Sequence, residues 1–346
     1  MQIAQHLIGR AHPPFIIAEM SGNHNQSLER ALKIVDAAAD SGAHALKLQT
    51  YTADTMTLDI EEREFRIDDE RSPWNGSTLH ALYQQAHTPW EWHAPIFERA
   101  RRRGLVAFST PFDATAVDFL QSLDVPAYKI ASFENTDLPL IGRVAATGKP
   151  LIISTGMANL AEIDEAMRTA RTHGARDVVL LKCTSSYPAS PAASNLAAIP
   201  QLRSSFHCEV GLSDHTLGIG AAVAAVALGA TVIEKHFTLS RAEGGVDAAF
   251  SLEPQEFAQL VAETHVAWEA LGEAQLGPTE AERGSLVFRR SLYVCADLAP
   301  GDVLTPQNLR AIRPGYGLPP KYLDQLLGKR VSRAVTRGTP MTWELL

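Results

Sequence analysis

The chain has 346 residues, 45% hydrophobic and 20% charged, with a formal net charge of −8 at pH 7. That length accommodates one large domain and a small one, and the composition is ordinary for a soluble globular protein. The acidic balance leaves no basic footprint for nucleic acid, no apolar run is long enough to span a bilayer, and no charged start precedes an apolar signal stretch.

Cys183, Cys208 and Cys295 are widely spaced and form no CxxC pair. Neither a disulfide framework nor a cysteine-built zinc site is therefore expected, and a reducing cytoplasm is the expected location.

Residues 1–14 read as a polar lead-in ending at Pro13-Pro14. Phe15-Ile-Ile-Ala-Glu19 is a short apolar run that stops on an acid. Ser27 predicts an N-cap for a helix over 28–41, with Gly42 as its stop, and residues 45–49 form a second strand. Residues 52–89 break the rhythm. Residues 59–71 are dense in mixed charge, and Pro73-Trp74-Asn75-Gly76 is turn chemistry. This stretch reads either as an excursion at a barrel mouth, serving as a lid, or as a solvated surface loop. A helix carrying Trp90, Trp92 and Phe97 follows.

Strands then fit 105–109, 127–130, 151–154, 178–182, 210–213 and 231–235. Helices fit 114–123, 137–147, 160–173, 192–205 and 217–228. A last amphipathic helix spans 254–271 and ends at Gly272. Strict alternation implies a parallel sheet. Eight strand–helix units in about 250 residues imply a (β/α)8 TIM barrel over 1–272. A doubly wound open sheet is the competitor, but no GxGxxG follows the first strand. Residues 273–288 read as a polar linker. Residues 289–346 read as a small β-rich module, with a strand at 290–295 and turns at Pro300-Gly301, Pro314-Gly315, Pro319-Pro320 and Arg337-Gly338. A core that small is marginal alone, so the module is expected to dock on the barrel or on a second subunit.

In such a barrel the functional residues collect at the C-terminal strand ends. There stand Glu19, Lys47, Gln49, Thr110, Lys129, Ser132, Glu134, Ser154, Lys182, Tyr187, Ser213, His215, Lys235 and His236. Residues 209–236 read as one βαβ unit, so His215 and His236 fall at the same end of neighbouring parallel strands. A single histidine is more often a hydrogen-bonded structural residue. The symmetric placement favours a shared divalent ion, Mn²⁺ in the first instance with Mg²⁺ or Co²⁺ as alternatives, completed by water and substrate oxygens.

The chain has 23 Arg but only 8 Lys, and four of those lie in predicted strands: Lys47, Lys129, Lys182 and Lys235. An unpaired buried ammonium is costly, so these lysines are expected to serve an anion. Lys47 and Lys129 read as phosphate and carboxylate ligands, with hydroxyls from Thr110, Ser132, Ser154 and Ser213. Gly218 and Gly220 open the seventh helix and read as a tight turn. Glu19 and Glu134 are candidate acids or bases, or else ion-pair partners of lysines; the residues alone leave both open.

Several stretches together resemble the sialic acid synthase family, whose members condense phosphoenolpyruvate with an amino sugar. They are Phe15-Ile-Ile-Ala-Glu19 with Gly22-Asn-His-Asn25, Lys47-Leu-Gln-Thr50, Ser109-Thr-Pro-Phe-Asp113, Tyr128-Lys-Ile-Ala-Ser132, Ser154-Thr-Gly-Met157, Gly211-Leu-Ser-Asp-His215 and Ile233-Glu-Lys-His-Phe237. The small module resembles the family's antifreeze-like (SAF) domain, with Arg313-Pro-Gly315 as its marker. Residues 46–59, 88–93 and 313–318 are most similar to the family's pseudaminate branch, although Lys182 stands where the neuraminate branch has His.

The resemblance implies that Lys47, Lys129 and the hydroxyls hold phosphoenolpyruvate. It implies that Gln49, Tyr187, Asp247 and Arg313 meet the sugar, and that Glu19, Glu134 and Asp247 serve catalysis. The expected sugar is 2,4-diacetamido-2,4,6-trideoxy-L-altrose, with N-acetylmannosamine or the legionaminate precursor as alternatives. It further implies a cytoplasmic, domain-swapped homodimer in which Arg313 of one copy reaches the neighbour's site. A non-catalytic glycan-binding scaffold is the remote alternative.

Overall fold

Each of the eight apolar runs that ends on a polar residue forms a strand: β1 (Phe15–Glu19), β2 (Ala45–Thr50), β3 (Val106–Pro111), β4 (Tyr128–Ile130), β5 (Leu151–Ser154), β6 (Val178–Cys183), β7 (Glu209–Asp214) and β8 (Val232–His236). In this computed structural model they close in chain order into a parallel barrel, β8 returning to β1. The structure describes residues 1–70, 72 and 74–346; Arg71 and Pro73 of the excursion lie outside the described residues. The expected (β/α)8 barrel is therefore the observed one, and the chain divides into units Met1–Gly272 and Glu273–Leu346.

The helices are α1 (Leu28–Asp40), α2 (Ala53–Met56), α3 (Leu79–Ala86), α4 (His93–Arg102), α5 (Ala114–Ser122), α6 (Leu138–Ala145), α7 (Leu160–Thr172), α8 (Ala198–Phe206), α9 (Gly220–Ala227) and α10 (Pro254–Leu271). Local chemistry sets their ends. The Ser27 side chain accepts from the Arg30 N–H to start α1. Asn159 and Glu162 form a capping box at α7. Ile16, Ile34, Leu46, Phe108 and Phe257 are fully buried in the barrel unit, each contributing about 1.5–3 kcal/mol.

Four expectations are corrected. Residues 1–14 are not only a lead-in: Gln2–Ile3 and His6–Leu7 pair as a hairpin, and Ile3 and Ile8 join the barrel's core. The excursion is not irregular. It carries α2 and α3, started by the side chains of Thr52 and Thr78. The helix expected at 192–205 splits into a 3-10 turn at Pro191–Ala193 and α8, because Asn195 between them adopts a left-handed φ of 45°. The linker is not featureless, since Glu280–Phe288 forms a 3-10 run behind a Thr279/Glu282 capping box.

In the second unit, β9 (Ser291–Val294) pairs antiparallel with β10 (Leu309–Ile312). Around them Leu292, Val294, Leu304, Leu326, Val331 and Met341 form a separate small core.

Candidate active site

Side chains alternate along a strand, so every second residue of a barrel strand points inward. At the C-terminal ends this brings Glu19, Lys47, Gln49, Thr110, Lys129, Ser132, Ser154, Tyr187, Ser213, His215 and His236 around one tight cleft of about 60 Å³. Glu234, Cys183, Phe112 and Phe133 line it too. A larger groove of about 560 Å³ lies between the outer helices, lined by Val117, Leu138, Gly142 and His173 among others. It gathers none of the buried charge that the strand ends do, and the chemistry belongs to the smaller cleft.

At the floor, two lysines and two carboxylates share one buried network. Register puts Glu19 level with Lys47 on one side and His236 on the other. Glu19 is ion-paired to Lys47. Glu234 Oε1 lies 3.7 Å from Lys47 Nζ and 3.5 Å from Lys129 Nζ, and accepts from the Ser213 hydroxyl at 3.3 Å. Lys47 also donates to Thr110 at 3.1 Å, and Lys129 to Ser154 at 2.6 Å.

Burial pushes the Glu19 carboxyl up to about 7 even against Lys47, with Glu234 adding to the rise. Burial opposes the Lys47 ammonium, but Glu19 and Glu234 more than offset it and hold its pKa above the usual range. For Lys129 burial prevails over Glu234, and its pKa falls. For Glu234 burial also opposes the charge, but Lys129 and Lys47 prevail and keep it ionised.

His215 and His236 form one wall, with ring centroids 5.4 Å apart. His215 Nδ1 lies 3.0 Å from the Thr184 carbonyl, an acceptor only, so Nδ1 carries a proton and Nε2 is the nitrogen left to ligate. Burial opposes the charged imidazole, but Cys183, the Thr184 carbonyl and Glu234 raise its pKa. His236 is held neutral, chiefly by burial and then by the charge of His215. Its Nδ1 is buried without a hydrogen-bond partner, and Asp247 Oδ2, at 3.7 Å, is beyond hydrogen-bond range. Among the described residues no group of three or more His, Cys, Asp or Glu side chains is placed to hold a metal. The donor set is thus two imidazoles, one of them, His236, neutral and with an orphaned nitrogen. It fits a divalent ion that takes its other ligands from water or substrate.

The remaining predicted residues fall in different places. Gln49 donates to Glu19 at 3.2 Å. The Tyr187 ring lies 4.5 Å from that of His215, tilted at 52°, and Trp74 of the excursion packs against Tyr187 while donating to the Val246 carbonyl at 2.9 Å. The excursion thus does cross the strand ends, while its charged part remains at the surface, Arg66 pairing with Glu61. Asp247 is buried, accepts from Ser21 and stands behind His236. Glu134 follows β4 and does not line the cleft. Burial raises its pKa to about 7 against the pull of Lys129. Arg313 is exposed on the second unit.

Two of the four strand lysines do not serve the cleft. Lys182 donates to the Cys183 carbonyl and the Thr184 hydroxyl, and Lys235 to Asp214. Both lie one residue out of step with the inward positions. Two chemically active cleft residues are not among those the sequence predicts. Glu234 is two residues before His236 on the same strand, so the period of two would have found it. Cys183 Sγ lies 3.8 Å from His215 Nδ1. Burial raises the thiol, but His215, with Ser132 and Lys129, more than reverses this and brings it to about 7.

The sequence profile of the NeuB family matches residues 34–276, and that of the SAF domain matches residues 289–346. The chain belongs to the NeuB family. It is 44% identical to the pseudaminic acid synthase of Campylobacter jejuni over 94% of each chain. To the pseudaminic acid synthase of Helicobacter pylori it is 42% identical, covering 95% of this chain and 97% of that one. The crystal structure of N-acetylneuraminic acid synthetase from Leptospira borgpetersenii superposes with a TM-score of 0.74 at 33% identity, covering 83% of this chain and 94% of that one. This NeuB-family chain is therefore a nonulosonic acid synthase, a transferase. No helix among its described residues is long and apolar enough to cross a membrane.

Proposed function

We propose that the chain condenses phosphoenolpyruvate with 2,4-diacetamido-2,4,6-trideoxy-L-altrose and water, releasing phosphate and pseudaminic acid. The observation that carries this reading is the pairing, in one cleft, of a lysine–hydroxyl floor with two histidines on the wall. Identity to two pseudaminic acid synthases supports the sugar branch.

Lys47 and Lys129, with Thr110, Ser132, Ser154 and Ser213, bind the phosphate and carboxylate of phosphoenolpyruvate as charge-assisted ligands. His215 and His236 would hold a divalent ion, Mn²⁺ in the first instance, which supplies Lewis acidity for an aldehyde oxygen. Gln49, Tyr187 and Asp247 orient the open-chain sugar so that its aldehyde carbon faces C3 of phosphoenolpyruvate. As C3 attacks, positive charge builds at C2, and the buried Glu19 and Glu234 carboxylates stabilise it. Water adds to C2 and the tetrahedral intermediate expels phosphate. Glu19, with a pKa near 7, is placed to take the proton of that water. Glu134, raised to about 7 by burial, is a second candidate acid, outside the cleft lining but within the electrostatic reach of Lys129.

Phosphate release from phosphoenolpyruvate tests this. With Mn²⁺ it should require the altrose-derived sugar, and N-acetylmannosamine and the legionaminate precursor should be poor acceptors. Excess EDTA should abolish release and added Mn²⁺ restore it. Full activity in EDTA removes the metal from the reading. Turnover with N-acetylmannosamine alone moves the chain to the neuraminate branch, and silence with every sugar leaves the scaffold role.

A further inference from the structure

Two charged side chains at the strand ends stay out of the cleft. Lys235 on β8 and Asp214 on β7 are cross-strand partners. Each immediately precedes one of the paired histidines. Alternation points both away from the cleft that Ser213, Glu234 and the histidines line. Lys235 is 0% exposed and Asp214 3%.

Every bond of this pair ends on the same short segment. Lys235 Nζ donates to Asp214 Oδ2 at 2.6 Å and to the Thr216 carbonyl at 2.6 Å. Asp214 Oδ1 accepts from the Thr216 backbone N–H at 2.9 Å and from its hydroxyl at 2.8 Å. Residues 214–216, with His215 in the middle, are thereby tied to the end of β8, where His236 follows.

A buried ion pair adds little net stability over apolar side chains of the same volume. What it provides and apolar packing does not is direction: four bonds of set geometry around the residue between them. We propose that the Asp214–Lys235 pair is a positioning device that fixes the spacing of His215 and His236 and so sets their affinity for a divalent ion. This rests on the proposal that those two histidines hold the ion.

The test is Mn²⁺ binding to the full chain, read as loss of the free-ion signal in electron paramagnetic resonance, beside thermal stability and phosphate release. Asp214→Asn and Lys235→Met should each weaken Mn²⁺ binding by about 10–100-fold, the range for residues that orient metal ligands. Excess Mn²⁺ should restore most of the turnover, with KM for phosphoenolpyruvate unchanged. The double variant D214N/K235M leaves no unpaired charge. It should regain stability but not Mn²⁺ affinity, and it carries the test if a single variant does not fold.

Normal Mn²⁺ affinity in the folded double variant overturns the proposal, leaving the pair a stability feature only. His236→Ala separates the two layers. If it abolishes binding while the pair variants bind normally, the positioning role alone fails. If the wild type binds no Mn²⁺, or binds it unchanged after His236→Ala, the metal reading fails and the positioning role with it.

Discussion

Glu19, Lys47, Glu234 and Lys129 form a closed set of two positive and two negative charges, so the removal of any one leaves a buried charge without its counterpart. Lys47→Met should lower the unfolding free energy by about 3–5 kcal/mol at pH 8, the usual cost of breaking a buried pair from one side. The loss should shrink at pH 5, where Glu19, already raised to about 7, takes up a proton and no longer needs a partner. Urea denaturation at the two pH values checks this, and KM for phosphoenolpyruvate should rise in parallel.

Glu134 tests the same physics with no ion-pair partner among the described residues. Its folded pKa of about 7 lies above the ordinary glutamate value of 4.5. Its contribution to stability is therefore fully present below about pH 4.5 and lost as pH rises to about 7, an effect of at most about 3 kcal/mol. Glu134→Gln should match the wild type near pH 4.5 and exceed it in stability at pH 8. A denaturation midpoint that tracks the wild type across this range would contradict it.

Among the elements, β7 and β8 carry the most consequence, and a glycine sets how closely they approach. A Cβ on Gly211 would lie 2.2 Å from the Val232 carbonyl oxygen and 2.7 Å from Leu181 Cδ2. The leucine side chain can turn, but the carbonyl cannot move aside without shifting a barrel strand. Gly211→Ala should cost about 1–3 kcal/mol of overpacking, seen as a lower melting temperature. It should also disturb the histidine pair downstream on the same two strands, so Mn²⁺ affinity should fall with it.

The element scale also shows which sequence signals were legible. Caps and stops at Ser27, Gly42 and Gly272 located helix ends to within a residue because they act through bonds made inside the segment. Asn195 was missed because a left-handed asparagine leaves no mark in hydrophobic periodicity. Lys235 was assigned to the cleft for being a strand-end lysine. Its parity with His236 argued for the other side, and Glu234 held the inward place.

For the whole molecule, the second unit spans Glu273–Leu346 around its own small core. Domains of this size bury only about 60% of their unfolded surface and are marginal alone. Residues 273–346 expressed separately should therefore unfold at lower temperature than residues 1–272, which calorimetry of the two pieces would measure. The domain-swapped homodimer that the family resemblance implies makes two further predictions. Sedimentation equilibrium should give twice the chain mass. Arg313→Ala should raise KM for the sugar while leaving the barrel's melting temperature and the KM for phosphoenolpyruvate unchanged. A monomer with full activity would remove the second subunit from the site.

What the amino-acid sequence determined by itself was whatever depends on neighbours along the chain. The strand–helix alternation, the polar strand ends and the βαβ placement of two histidines all follow from period and spacing, and they suffice for the barrel and the location of its site. What only the tertiary structure decided was which charges meet. Closure of eight strands sets which parity faces inward, and burial then forces each charge to find a partner from another strand: Lys47 with Glu19, Lys129 with Glu234, Lys235 with Asp214. Those choices turn on distances of a few ångströms between residues far apart in sequence, where the cost of desolvating a charge is large and local propensity carries no information.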